Sequence, residues 1–549
     1  MNLFRKKPIA QVNADEAENS SLHKVLRVRD LTFFGIAAII GAGSFSSMGE
    51  ACFKGGPAVI LLFIICAVAC GFTALCYAEF ASRVPVSGSA YTYAYVSFGE
   101  LFAWIIGWAL LMEYSIGNIY VAFSWSGYFT NLLDGLGMHM PEWLTTNYRS
   151  AHKAFTENIS GEGLLAWNSA PQISGLRIIF DLPAVAANAF ITWLVYVGVR
   201  ESRNVSNVMV IIKLCIIALV IGVGLFYVDL SNWSPFMPNG FGGVMNGVAA
   251  VFFAYIGFDA VSTLAEETPN PQRDLPKGMI YSLIICTVVY IILSLVLTAM
   301  VSYKQLGVSD PLAEVFSIKG IRWMLFIVSI AAVVAMSSVL LVFQMGQPRI
   351  WMSMSRDGLL PKRFASIHPK YKTPGFATIV TGLVVGIPIF FTDEKFVLDF
   401  TSIATLFAFV LVCGGVLMLP PNTGKKIHGG FRLTYINGKW IIPALVILTY
   451  TLLFLFGNDY LKKIITLSGD NAAENISTLA FFILLIIAAI FSFLKNLSLI
   501  PVCGLLSCSY LLTGMAASNW IWFFIWLAIG LVLYFSYSFK NSKLNRDAS

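Results

Sequence analysis

Residues 31–50 read LTFFGIAAIIGAGSFSSMGE, and the fold is decided by what interrupts that apolar run. Ile36 to Ile40 would continue a membrane helix without difficulty, but Gly41-Ala42-Gly43-Ser44 follows where a plain span should stay uniform. A second interruption stands in the sixth apolar run, at Phe252-Phe253-Ala254-Tyr255-Ile256-Gly257-Phe258-Asp259. The two occupy corresponding positions in two blocks of five spans, and because five is odd the second block crosses the membrane in the opposite sense. Paired interruptions of this kind predict an inverted repeat with a site at the bilayer midplane. Either one alone would equally suit two helices packing closely through glycine.

The composition demands a membrane setting. Of 549 residues 57% are hydrophobic and 12% charged, against roughly 25% charged in a soluble domain. That excludes a soluble globule, a disordered chain and a disulfide-stapled scaffold. Apolar runs fall near 31–50, 57–81, 98–133, 178–198, 206–228, 243–265, 277–302, 322–347, 376–391, 397–419, 441–457, 477–494, 497–514 and 519–538, most of them near the ~20 residues a span requires. The expected architecture is therefore all-α and polytopic, with about 14 transmembrane helices. It divides into an N-terminal tail (1–30), a first five-helix repeat (31–228), a second, inverted repeat (229–419), four further C-terminal helices (420–538) and a C-terminal tail (539–549).

Of the 36 Lys and Arg residues, 25 fall on segments on the N-terminal side, 10 on the opposite side, and Lys213 within a span. This bias places both termini in the cytoplasm, in a plasma (inner) membrane. The net charge of +7 is spread over short loops, so it reports topology and no nucleic-acid partner. The first thirty residues are too polar for a cleavable signal peptide. Most of the nine cysteines lie in apolar runs and show no metal-ligand spacing, so neither a metal nor a disulfide framework is expected. All five histidines lie outside the spans, and with no hydrolase or metalloprotease motif the chain reads as no enzyme and implies no cofactor. The outer loop 134–177 has no cysteine to bond a disulfide-linked glycoprotein partner; nothing in the sequence speaks against a small helical one.

Backbone left unpaired within a membrane must line a cavity or be buried in protein. A break at Gly41-Ala42-Gly43 frees N–H groups at the start of the outer half-helix, which suit a carboxylate. A break around Tyr255-Ile256-Gly257 frees carbonyls at a negative dipole end, which suit an ammonium. Side by side they describe an α-amino acid.

These residues resemble the amino acid–polyamine–organocation superfamily. The resemblance is carried by GIAAIIGAGSFSSMGE, GGPAV, LCYAEFASRVPVSGSAYTYAYVSFGELFAWIIGW, FFAYIGFDAVSTLAEETPNPQRDLPKG and SMSRDGLLPKRFASIHPKYKTPGFAT. Leu111-Met112-Glu113-Tyr114, Lys213 and the number of spans point to its cationic amino acid transporter branch. The resemblance covers roughly residues 25–540 and implies a leucine-transporter-like fold, with five-plus-five inverted repeats and broken helices 1 and 6. It places Ile39, Ile40, Gly41, Ala42, Gly43 and Ser44 at the substrate carboxylate, and Phe253, Ala254, Tyr255 and Ile256 near the amine. Two departures from the pattern, Ala42 and Ser44 in the glycine motif and Ala109 after Trp108, bear on substrate identity. By the same resemblance Met336 lines the side-chain end of the pocket.

Charges within spans are costly and usually functional. Lys213 lies about two turns into span 5, roughly 10 Å from its end. It either snorkels to the interface or, as the resemblance implies, its ammonium replaces the sodium ion of sodium-driven relatives between the helix 1 break and helix 8. Glu113 is either a structurally paired carboxylate or, by resemblance, a group that approaches the substrate and takes part in proton coupling. Asp259 is expected to cap the inner half-helix, and Glu79 with Arg83 to form a local i,i+4 pair. Glu266, Glu267, Arg273 and Lys277 are expected to make solvated gate contacts with the Ser355-Arg356-Asp357-Gly358 loop.

The reading that follows is a proton-coupled, sodium-independent amino acid permease working by alternating access. Met336 is bulky and uncharged, which favours neutral substrates of small to moderate size over cationic ones. The alternatives are a cationic amino acid (arginine/lysine) transporter or exchanger, and a non-transporting amino acid sensor.

Overall fold

The computed structural model describes residues 3–12, 22–41, 43–173, 176–240, 244, 251–252, 254–308, 310–392, 394–419, 430–456, 472–515 and 517–546. Apart from a two-residue β-pair, Gln172–Ile173 with Leu176–Arg177, and one isolated bridge, every regular element among the described residues is helical. Among the described residues seven helices are long and apolar enough to cross a membrane, and five shorter apolar helices accompany them. The chain is a polytopic membrane protein.

In chain order the helices are α1 (Val28–Ile39), α2 (Met48–Gly55), α3 (Val59–Arg83), α4 (Ala90–Ser97), α5 (Glu100–Gly135), α6 (Tyr148–Thr156), α7 (Glu162–Ser169), α8 (Leu182–Val197) and α9 (Val199–Leu225). There follow α10 (Pro271–Met300), α11 (Pro311–Ile318), α12 (Arg322–Arg356), α13 (Gly375–Ile389), α14 (Glu394–Met418), α15 (Ile441–Phe456), α16 (Ala472–Lys495), α17 (Leu499–Thr513) and α18 (Ala517–Leu533). Local chemistry sets several starts. Asp181 caps α8 by accepting from the Ala184 N–H, and Asp310 caps α11 through Ala313; α10 opens with Pro271 at a position whose N–H needs no partner. The loops hold more structure than their polarity suggests. The connection after α3 contains the buried helix α4, and the 134–177 loop builds two helices and the β-pair around Ala151, Ala166 and Trp167.

The surface is apolar, with Trp193, Ile284, Leu383, Ile447 and Phe524 exposed, a pattern that suits hydrocarbon and not water. Inside, helices are joined by polar contacts of the kind that glue membrane bundles. Between α5 and α12 run Asn118 to Gln344 (2.9 Å), Gln347 to Ser115 (2.7 Å) and Trp125 to Ser337 (2.8 Å). The Trp104 and Trp108 indoles on α5 donate to the Gly530 and Trp526 carbonyls of α18 at 2.8 and 2.9 Å. Arg83 and Glu79 form the expected local pair, and the second Glu79 oxygen accepts from the Leu433 N–H.

The N- and C-terminal segments meet on one face. Arg5 bonds Asn545, and the fully buried Glu100 collects Arg5 (3.3 Å), Tyr534 (2.9 Å), Tyr95 (3.0 Å) and Ser542 (2.5 Å). Glu100→Ala removes the carboxylate from Arg5, which keeps Asn545, and from three hydroxyls. It is expected to lower stability by about 3–5 kcal/mol, the cost of breaking a buried charged network, read as a fall in the thermal unfolding midpoint in detergent. An unchanged midpoint would show that the termini are held by other contacts.

Candidate functional site

The first break is built from the end of α1. Ile40 leaves the helix in an extended conformation (ψ 94°), and the chain resumes as a π-turn at Gly43–Ser47 leading into α2. The Gly41 carbonyl is taken up locally by the Ser44 and Phe45 N–H groups at 3.0 and 3.1 Å and by Ser44 Oγ at 2.9 Å. Two carbonyls of the last α1 turn and that of Ile40 are met by one side chain. Lys213 Nζ, on α9, lies within hydrogen-bond distance of the oxygens of Ile36 (3.1 Å), Ala37 (3.2 Å) and Ile40 (2.6 Å) and of Ser338 Oγ on α12 (2.9 Å), with three protons to share among the four. The residue is fully buried, so it does not snorkel. A cation at a helix C-terminus also has the favourable sign against the dipole.

The second break follows residues 251–252. A tight turn over 254–257 leads to a 3₁₀ helix, Phe258–Glu267, with Gly257 in the left-handed region at φ +115°. The two breaks lie against each other. A Cβ on Gly43 would come 2.5 Å from the Ala254 Cα, and one on Gly257 would come 2.7 Å from the Ala38 Cβ. Tyr290 on α10 spans them, its Oη 2.7 Å from the Ile39 carbonyl and 3.0 Å from that of Ala254, with one proton to donate to either. Tyr255 donates to the Phe63 carbonyl at 3.0 Å. The structure thus brings together Ile39, Ile40, Gly41, Gly43 and Ser44 with Ala254, Tyr255 and Ile256. Ala42 and Phe253 lie outside the described residues. Tyr290 is not legible in the sequence, because a tyrosine within an apolar run gives no sign that it reaches two backbones.

Asp259 corrects an expectation. The cap position belongs to Gly257, and no side-chain bond caps the helix. Asp259 stands inside the first turn, fully buried, and its Oδ2 accepts from Tyr114 Oη at 3.3 Å while Oδ1 makes no hydrogen bond among the described residues. Glu113 is buried beside it on α5, near the Thr405 hydroxyl, and neither Glu113 oxygen makes a hydrogen bond within 3.5 Å. Met336 is fully buried on α12. Its helical stripe continues through Phe343 and Gln347, which contact Gly117 and Ser115 on α5.

A second correction concerns the acidic pair on the terminal face. Glu266 and Glu267 are buried, not solvated. Glu267 is paired with Arg349, and Glu266 with Arg356 at 2.8 Å. Asp357 receives Lys7 at 2.8 Å and Tyr91 at 2.7 Å, and the Glu267 carbonyl accepts from the Val25 and Leu26 N–H groups. Arg349 is hard to recognise in the sequence because it falls just past the apolar edge of its run. Its place one heptad before Arg356, on the same helix face, was the available signal.

A helical membrane bundle whose interior holds two broken segments, packed on one another and tied by buried polar side chains, belongs to the class of integral membrane transporters. Comparison with known families makes this specific. The sequence matches the amino acid permease family over residues 26–472 and the family's C-terminal region over 497–542. The chain belongs to the amino acid permease family. It is 38% identical to the branched-chain amino acid permease BcaP of Bacillus subtilis (strain 168), over 99% of both chains. It is 36% identical to the methylthioribose transporter of the same organism, over 99% of this chain and all of that one. Cationic amino acid transporter 4 of Homo sapiens is 30% identical, over 99% of this chain and 91% of its own.

The packing at Gly43 alters what a substitution there reports. Gly43→Val puts a branched side chain into the Ala254 backbone, so overpacking of about 1–3 kcal/mol is expected, seen as a lower unfolding midpoint together with weaker ligand binding. Weaker binding at an unchanged midpoint would mean that the glycine serves ligand approach alone.

Proposed function

We propose that the protein is a secondary active amino acid permease, sodium-independent and proton-coupled, that imports its substrate by alternating access. The observation that carries this reading is the Lys213 ammonium among the carbonyls of Ile36, Ala37 and Ile40 and the Ser338 hydroxyl. Its charge fills a nest of oxygens that would otherwise suit a metal cation, and a buried ammonium is a group that can release and rebind a proton. In this reading the substrate carboxylate meets the backbone of Ile39 to Ser44. The amine meets carbonyls of Phe253 to Ile256, and Glu113 and Met336 bound the side-chain end. Two inverted blocks of five helices, each opened by a broken one, are the proposed scaffold. The Lys and Arg bias supports cytoplasmic termini in a plasma (inner) membrane.

The relatives' names support both neutral and cationic substrates: one is a branched-chain amino acid permease, another a cationic amino acid transporter. Met336 favours the neutral reading, because a buried cationic side chain beside it would lose hydration without a partner. The second reading, a cationic substrate, is favoured by Glu113, a buried carboxylate with no hydrogen bond.

A competition series in liposomes decides between them. Leucine and alanine are expected to displace a bound neutral amino acid at least about tenfold better than arginine or lysine, a difference of roughly 1.4 kcal/mol. Met336→Ser is expected to shift the ranking toward longer side chains. Arginine outcompeting leucine on the wild type would favour the cationic reading, and an unaltered ranking in Met336→Ser would remove that side chain from the pocket.

A further inference from the structure

On the face where the chain termini meet, a cavity of about 470 Å³ opens between the approach to α1, the start of α9 and Pro269. Its wall carries four cations, Lys24, Arg27, Arg29 and Arg203, against one carboxylate, Asp30. Asp30 is already satisfied by neutral donors, the Arg27 backbone N–H at 3.0 Å and Asn207 Nδ2 at 2.8 Å. Arg203 is held in place by neutral acceptors, the Val25 carbonyl at 3.1 Å and Asn204 Oδ1 at 2.9 Å. Among the described residues no carboxylate lies within 4.0 Å of any of the four cationic groups. Among the described residues the cavity is a concentrated positive site without a counter-ion of its own.

What lies below it names the occupant. Asn204 and Asn207 line the cavity, and the same face of α9 continues through Val208, Ile211 and Cys215, all exposed. A polar, cationic mouth therefore passes within one helical turn into a lipid-facing apolar stripe. A free phosphate would use the mouth and leave the stripe unused. A phospholipid would use both, with its phosphate among the guanidinium groups and an acyl chain along α9. Basic pockets between membrane helices are suited to anionic head groups.

We propose that this cavity is a binding site for an anionic phospholipid. The bound lipid would join α1 to α9 at their membrane-surface ends, as Lys213 joins them in the interior.

The purified full-length protein in detergent, titrated with short-chain phosphatidylglycerol, phosphatidylcholine or inorganic phosphate, tests this through its thermal unfolding midpoint. Phosphatidylglycerol alone is expected to raise the midpoint saturably. Lys24→Gln/Arg29→Gln, which changes two exposed side chains, is expected to weaken that effect about twenty-five-fold, at about fivefold per cation near the surface. The control Lys362→Gln/Arg363→Gln removes the same charge elsewhere on this face and is expected to change nothing. Equal stabilisation by phosphatidylcholine, or equal weakening in the control, would overturn the site. Inorganic phosphate matching phosphatidylglycerol would overturn the assignment to lipid.

Discussion

A helix that stops halfway through a bilayer leaves carbonyls that water cannot reach, and each one left unpaired costs several kcal/mol. The architecture depends on how this chain meets that demand. Lys213 brings one ammonium to the Ala37 and Ile40 oxygens, and to that of Ile36, which also takes the Ile40 N–H, and it reaches Ser338 as well, so α1, α9 and α12 are tied at a single point. Tyr290 performs the matching task from α10, standing between the Ile39 and Ala254 carbonyls. With Gly43 pressed on Ala254 and Gly257 on Ala38, the broken segments support each other.

The terminal face is closed by a different kind of contact. Arg349 and Arg356 of α12 hold the acidic end of the 3₁₀ helix, Lys7 holds Asp357, and the Glu267 carbonyl receives the backbone that leads into α1. Buried ion pairs add little net stability against desolvation, yet they are costly to break one partner at a time. They suit a contact that must hold firmly and also open as a unit when water enters. In the proposed cycle, opening toward this face would part these pairs while the Lys213 contact keeps α1 in register with α9.

Much of this was legible in the sequence, because glycine, proline and charge inside an apolar run have few physical explanations. Gly41 and Gly43 announced the first break, Gly257 the second, and the i,i+4 spacing of Glu79 and Arg83 announced their pair. What stayed hidden depended on contacts distant in the chain. Tyr290 looks like any core tyrosine until its hydroxyl is found between two carbonyls. Asp259 looks like a cap because Asp so often is one, but a glycine at φ +115° took that position. Glu266 and Glu267 read as solvated because their arginine partners lie more than eighty residues further on. The 134–177 loop holds a small core of its own that its short, polar-flanked helices did not advertise.

The central claim is that a protein-borne ammonium takes the place of a transported metal ion at the α1 break. Its most direct test is uptake of a radiolabelled neutral amino acid by the purified wild-type protein in liposomes, driven in turn by an imposed proton gradient and by a sodium gradient at fixed pH. The account predicts stimulation by the proton gradient and none by sodium. Strong, saturable stimulation by sodium would contradict it.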